Sequence, residues 1–235
     1  MLKNASRIII TQSGYLESSP YLNKYKHKVE VIPNGVDVAK FKPIKVDKSA
    51  NNLLFFLSLL DEFHRYKGLN YLLSALKIVK KEIQGVKLII GGEGELMSEY
   101  QHMANSVGLN GDVEFYGFIP DENIVEYYNK CNAFVLSSAS TTQEGFGIVL
   151  LEALACGTPI ISTEIVGVAE DVKKNNAGII LPPKDSKALA DAIIYILKNE
   201  DLAKKMGENG RRLVEERYTW KGVAERTEAV YEDLL

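Results

Sequence analysis

Three stretches of the 235-residue chain combine residue types that could do chemistry. The first is residues 61–68 (DEFHRYKG), which hold His64, Arg65 and Lys67 just before an amphipathic run. A helix N-terminus attracts anions and disfavours cations, so basic residues gathered there point to a bound phosphate or similar anion. A solvated loop would carry the same letters. The second is residues 137–147 (SSASTTQEGFG), in which Glu144 precedes Gly145, Phe146 and Gly147. Glycines at a helix entry let backbone amides approach a phosphate closely. The Glu144 carboxylate cannot bind phosphate, but it suits sugar hydroxyls, which donate hydrogen bonds. Glu152 lies eight residues on, just over two helical turns, inside the run IVLLEALAC. A helix this apolar has almost no polar face, so the carboxylate calls for a partner and could reach ribose hydroxyls. The third stretch is residues 116–121 (YGFIPD), where Gly117 makes a turn and Phe118 or Ile119 could lie against a base. Turn residues and a core anchor explain it equally well. Residues 91–97 (GGEGELM) lack the third glycine of a dinucleotide fingerprint, and the chain has no G-x-x-x-x-G-K-[ST] phosphate loop.

These loops need a scaffold that brings them to one edge. Short apolar runs at residues 53–60, 86–90, 113–116, 133–136, 159–162 and 178–181 read as strands. Helical patterns separate them. Leu69, Leu72, Leu73, Leu76, Val79 and Ile83 share one helical face, and residues 124–128 and 148–156 behave similarly. Residues 185–198 begin with Ser186 as a cap, and two further helices are expected near 201–216 and 219–234. Apolar strands alternating with helices imply βαβ crossovers and a parallel sheet covered on both faces. The expected fold is therefore α/β, a doubly wound, Rossmann-like parallel sheet from about residue 50 onwards, with ligands held beyond the carboxyl ends of the strands.

Composition narrows the function classes. With 28 Lys+Arg against 31 Asp+Glu the net charge is −3, which argues against a nucleic-acid partner. No apolar run approaches the roughly 20 residues of a membrane helix, and no secretory signal is visible. Cys131 and Cys156 form no paired motif and the three histidines are scattered, which argues against a zinc site or a disulfide framework. Residues 1–50 carry nine Lys/Arg and four Asp/Glu, and the rest of the chain 19 and 27, with a polar linker at residues 40–52. The predicted division is 1–50, the end of a preceding domain plus linker, and 51–235, the sheet domain. A cytoplasmic location is expected, with a basic leading segment able to lie against an anionic membrane surface.

The run from Glu144 through Gly145, Phe146, Gly147 and Ile148 to Glu152, with Gly157 and Pro159 following, resembles the E-x7-E signature of the group 1 (family 4) retaining glycosyltransferases of GT-B architecture. The segment IPNGVD (residues 32–37) with Phe41 and Pro43, the pair Lys67-Gly68, Gly92-x-Gly94, Val113-x-Phe115-x-Gly117 and Tyr218-Thr219-Trp220 are in step with the same family. The resemblance implies the C-terminal, donor-binding half of such an enzyme, moving a sugar from a nucleotide-diphosphate-sugar donor to an acceptor. It implies that Lys67 contacts the donor diphosphate and Glu144 the donor sugar, the pair it assigns to catalysis. It further implies that Gly145, Phe146, Gly147 and Ile148 hold phosphate through the helix start, that Glu152 binds ribose and that Ile119 lies near the base. Asp61 stands where many members have an arginine, which leaves Arg65 or His64 to supply a second cation; Val166-Gly167 stands where two glycines are common. No metal and no cofactor are expected. The preceding domain, which would carry the acceptor site, is expected to be missing. Its absence would leave an apolar surface around residues 29–36 and Trp220, Val223, Val230 and Leu234, inviting self-association. The alternatives are a non-catalytic nucleotide-sugar-binding module and a related epimerase, the latter disfavoured by Lys67 and the glutamate spacing.

Overall fold

Apolar runs too short for helices and too long for turns alternate with amphipathic stretches, and the computed structural model folds them into strands and helices accordingly. It describes residues 2–46, 52–141 and 143–235. The predicted boundary at residues 50 and 51, part of the linker and Thr142 of the second loop lie outside the described residues. The leading segment forms β1 (Ile8–Ile10), α1 (Gly14–Ser18), α2 (Pro20–Asn23) and β2 (Val29–Val31). The main body then runs β3 (Leu53–Leu57), α3 (Leu69–Glu82), β4 (Lys87–Gly91), α4 (Met97–Ser106), β5 (Val113–Gly117), α5 (Ile124–Lys130) and β6 (Ala133–Leu136). It continues with α6 (Ile148–Ala155), β7 (Ile160–Thr163), α7 (Ala169–Lys174), β8 (Gly178–Leu181), α8 (Ser186–Lys198), α9 (Glu200–Arg217) and α10 (Trp220–Glu232).

β1 and β2 make a small parallel pair. The other six strands form one sheet in the order β5-β4-β3-β6-β7-β8, every neighbouring pair parallel. β6 and β7 are buried at every position and β3 at all but its last, as strands covered on both faces must be. The edge strand β5 instead alternates between half-buried and exposed residues. α3 turns Leu69, Leu72, Leu73, Leu76 and Val79 into the core and packs against α8. Each such side chain contributes roughly 1.5–3 kcal/mol through removal from water.

Two boundaries and one element differ from the sequence reading. The apolar run at residues 53–60 stops being strand at Leu57, because its continuation leaves the ladder and runs against the end of β4: Ser58 donates its amide to Gly91 O at 3.1 Å and Leu60 to Glu93 O at 2.9 Å. Gly92 and Gly94 are needed there, since a Cβ on them would sit 1.8 Å and 2.3 Å from the carbonyl oxygens of Ser58 and Leu60. Helix α8 is capped by Asp185, whose Oδ1 accepts from the Ala188 amide at 2.9 Å, while Ser186 donates to Tyr71 O. α4 was absent from the sequence reading altogether.

Residues 32–46 form a strap across the main body. Val36 bridges to Thr219 and donates its amide to Tyr218 O at 2.8 Å. Arg211 donates to the carbonyls of Phe41 and Ala155, both at 2.8 Å, and to Val38 O. The buried Asn129 accepts from the Ile44 amide and donates to Lys42 O and Val125 O, so its polar atoms are satisfied. Among the described residues no helix is long and apolar enough to cross a membrane.

Candidate functional site

The sheet reverses its build order between β3 and β6: from β3 the chain moves outward to β4 and β5, and from β6 outward to β7 and β8. Beyond the carboxyl ends of these strands such a switch point opens a crevice. The loops that leave β3 and β6 are the two that carry Lys67 and Glu144, so the topology brings the first two stretches together.

Their backbones are joined directly. Arg65–Lys67 is a single 3-10 turn, and Gly68, with φ 75°, starts α3. A Cβ on Gly68 would lie 2.0 Å from Ser137 O. Ser137 donates its hydroxyl to Gly68 O at 2.9 Å, and the Ala139 amide donates to Tyr66 O at 2.7 Å. This junction carries Lys67 Nζ to 3.0 Å from both carboxylate oxygens of Glu144. Glu144 is only 3% exposed. Ser138 donates its hydroxyl to Oε2, and the Gly145 amide donates to Oε1 at 3.0 Å. A carboxylate has about four lone-pair sites, and all are in use. The ammonium also lies 5.0 Å from the Tyr66 ring centroid. A cation in this setting is fixed in place before any ligand arrives. Nearby, α6 opens at Gly147 without a capping side chain, which leaves its first-turn amides without a side-chain acceptor.

Glu152 is set apart from this pair. The sequence reading put it two turns into the helix; α6 starts only at Ile148, so Glu152 lies just over one turn in. Tyr128 donates its hydroxyl to Glu152 Oε2 at 2.7 Å, the partner that the apolar helix required. Burial pushes the Glu152 carboxyl above the usual glutamate range, opposed by the Tyr128 hydrogen bond and by the charge of Lys40. Burial likewise pushes the Tyr128 phenol well up, with the Glu152 charge adding to it, so this hydroxyl stays a donor. Lys40 itself pairs with Asp121 of the third loop, which ties the strap to that loop beside Glu152.

The remaining predicted residues divide by what their side chains do. Arg65 makes four hydrogen bonds to Glu62 and Glu99, which leaves its charge largely matched. His64 places Nδ1 2.7 Å from Asp61 Oδ1, so the residue standing at the family's usual arginine position orients a histidine instead. The hydrogen bond from His64 holds the Asp61 carboxyl below the usual range. Phe146 is buried against Tyr218, with ring centroids 5.9 Å apart, and offers the crevice only its backbone. Ile119 is buried over Gly91, while its neighbour Phe118 is 67% exposed. Ile148 is exposed at the start of α6. Sequence reasoning missed Ser138 and Tyr128. Ser138 follows a buried strand and was legible as a loop hydroxyl; Tyr128 carried no local signal.

With the geometry in place, the chain can be compared with known proteins. Residues 40–213 match the family described as Glycosyl transferases group 1. The chain is 32% identical to the O-antigen chain mannosyltransferase C of Escherichia coli, an alignment covering 100% of this chain and 62% of that protein. Among solved structures it superimposes on sucrose-phosphate synthase from Thermosynechococcus elongatus with a TM-score of 0.82 and 27% identity, covering 99% of this chain and 59% of that one. It also superimposes on Anabaena HepE, solved with UDP, with a TM-score of 0.86 and 22% identity over 97% of this chain and 64% of that one. The chain thus spans about three fifths of the length of these proteins.

Proposed function

The chain belongs to the group 1 glycosyl transferases, and from that premise we propose that it supplies the donor-binding half of an enzyme that moves a sugar from a nucleotide-diphosphate-sugar to an acceptor. The observation that carries this reading is the Lys67–Glu144 pair at the switch point. Two of the three ammonium N–H groups face Glu144, and the third is left for a phosphate oxygen. As the sugar–phosphate bond breaks, charge gathers on the leaving diphosphate. A cation and helix amides already in position stabilise that charge without reorganising. Glu144 orients the lysine; a hydrogen bond from the donor sugar to Glu144 requires the Ser138 hydroxyl to turn away. Glu152, beside the third loop, is suited to ribose hydroxyls. His64, oriented by Asp61, is the better candidate than Arg65 for a second cation, because it is not already held by two carboxylates. Retention at the anomeric carbon, the absence of a metal requirement and a separate domain for the acceptor follow from the family resemblance.

Calorimetry with a nucleoside, its diphosphate and the diphosphate sugar tests the assignment. Lys67→Ala is expected to weaken the two phosphorylated ligands by the roughly 1.5–3 kcal/mol of a charge-assisted contact while sparing the nucleoside. Glu152→Ala is expected to weaken all three. Equal loss of nucleoside and diphosphate on Lys67→Ala would remove the lysine from the phosphate site. The chain alone is expected to bind donor and transfer no sugar, since transfer needs an acceptor held against the donor carbon.

A further inference from the structure

Glu144 and Glu152 are held in opposite ways. Glu144 has every acceptor position filled, by Lys67, the Ser138 hydroxyl and the Gly145 amide. Glu152 takes one hydrogen bond among the described residues, from the Tyr128 hydroxyl to Oε2 at 2.7 Å, and its Oε1 takes none. The residue is half-buried rather than sealed in the core. We propose that Tyr128 is a positioning residue: its hydroxyl fixes the Glu152 carboxylate in the orientation that accepts from ribose hydroxyls, and so sets a preference of the chain for ribonucleotides over deoxynucleotides. The proposal rests on the reading of Glu152 as the ribose contact and adds to it the group that aims the carboxylate.

Tyr128 is built to stay still. Its side chain is fully buried. Phe55 and Phe134 each meet its ring edge to face at 5.3 Å, and Phe41 of the strap does so at 6.1 Å. Its carbonyl accepts from the Thr158 hydroxyl at 2.6 Å, which holds the backbone as well. A ring packed by three others cannot swing, so its hydroxyl has one direction and one acceptor. Burial keeps the phenol protonated and therefore a donor.

A buried phenol needs an acceptor, and Glu152 meets that need. Two features go further. First, the core does not require the pair. A phenylalanine at position 128 would fill nearly the same space, and an apolar residue at position 152 would match the rest of α6. Replacing both members of a buried polar pair by apolar groups of like shape is close to neutral. Second, the group that holds Glu152 is uncharged. Lys40, whose charge is felt at Glu152, is paired with Asp121 instead. A direct ion pair would consume the negative charge, as Lys67 does at Glu144. A phenol orients the carboxylate and leaves its charge for an incoming hydroxyl, and hydrogen bonds to an ionised acceptor are the strong ones.

Calorimetry on the 235-residue chain with UDP, GDP and their dideoxyribose counterparts tests the proposal. Each pair of ligands differs only in the ribose hydroxyls, and the base that binds the unaltered chain more tightly is carried through. The unaltered chain is expected to prefer the ribonucleotide at least tenfold, because a site built to pair a hydroxyl rejects the analogue that lacks it. Tyr128→Phe keeps the ring and its packing. It is expected to weaken the ribonucleotide at least fivefold and to leave the dideoxy ligand within twofold, so the preference collapses. Glu152→Ala is expected to abolish the preference, and Tyr128→Phe added to it to change ribonucleotide affinity less than twofold, since the tyrosine acts through the glutamate. Equal loss of both ligands in Tyr128→Phe would assign the residue to packing alone and overturn the proposal, as would a preference that survives the substitution. An unaltered chain that binds both ligands alike would remove Glu152 from the ribose and the proposal with it. Failure of both UDP and GDP to bind would strike the transferase reading itself, on which the proposal stands.

Discussion

The two parallel sheets of this chain are built from the same kind of residue and end in different states. In the six-stranded sheet the central strands are covered on both faces, and Phe55, Phe134 and Tyr128 interlock edge to face between β3, β6 and α5 at centroid distances of 5.3–5.6 Å. In the two-stranded sheet Ile8 and Ile10 are buried, but Ile9 and Val31 remain 41% and 40% exposed. A two-stranded sheet does not stand alone in water, and parallel strands are ordinarily covered on both sides. The small sheet therefore depends on what docks against it, while the large one supplies its own cover. The comparison teaches where stability resides in this chain: in the large sheet, with the leading segment as a dependent.

The largest effect that would test this contrast is in the core. Phe134→Ala is expected to cost about 3–5 kcal/mol in urea unfolding. Ile9→Ala, on the open face of the small sheet, is expected to stay within about 0.5 kcal/mol. A loss at Ile9 as large as that at Phe134 would show the small sheet to be an equal partner in the core. The next effect separates the switch point from the periphery. Gly68 and Gly85 share nearly the same backbone, φ 75° and 70°, but a Cβ at Gly85 meets nothing within 4 Å. Gly85→Ala is expected to cost the roughly 1–2 kcal/mol of a left-handed residue with a side chain. Gly68→Ala adds a collision with the Ser137 carbonyl and is expected to cost at least twice as much and to lower nucleoside diphosphate affinity, as denaturation and calorimetry would reveal.

The smallest effect concerns Glu152. Its carboxyl is raised above the ordinary value of 4.5 in the folded chain. The native state therefore holds this proton more tightly than the unfolded one, and the stability that this provides is complete below the ordinary value and lost as pH rises through the raised one. Glu152→Gln removes the dependence and can still accept from Tyr128. It is expected to raise Tm relative to the unaltered chain at pH 7.5, with the gain shrinking as the pH is lowered towards 4.5. A gain that grows on acidification would mean that the Lys40 charge, not burial, governs the site.

The fold was legible because strand burial is written in composition: LLFF, AFVL and IIST can be little else between helical patterns. The loops that carry Lys67 and Glu144 were legible for the same reason, since the elements on either side of them were. What escaped was set by approach between distant segments. The structural reason for Gly92 and Gly94 was not readable locally, because their necessity comes from the carbonyls of Ser58 and Leu60. The cap of α8 went to Asp185 rather than Ser186 because the serine hydroxyl found Tyr71 O, a partner 115 residues away. α4 was visible in hindsight as Met97, Tyr100, Met103 and Ala104 at helical spacing.

The strap has a bearing on the order in which this chain is made. Arg211 reaches carbonyls of Phe41 and Val38 that lie 170 and 173 residues earlier. During synthesis from the N-terminus, residues 32–46 leave the ribosome long before the helix that clasps them exists. β3 to β6 can begin to pair in the meantime, because their contacts close over much shorter stretches of chain, and loop closure grows costlier with length. The strap can therefore be held first by Asn129 of α5 and receives its clasp from Arg211 only once α9 has emerged. A chain cut short before Arg211 would keep the sheet and the Asn129 contacts and lose that clasp.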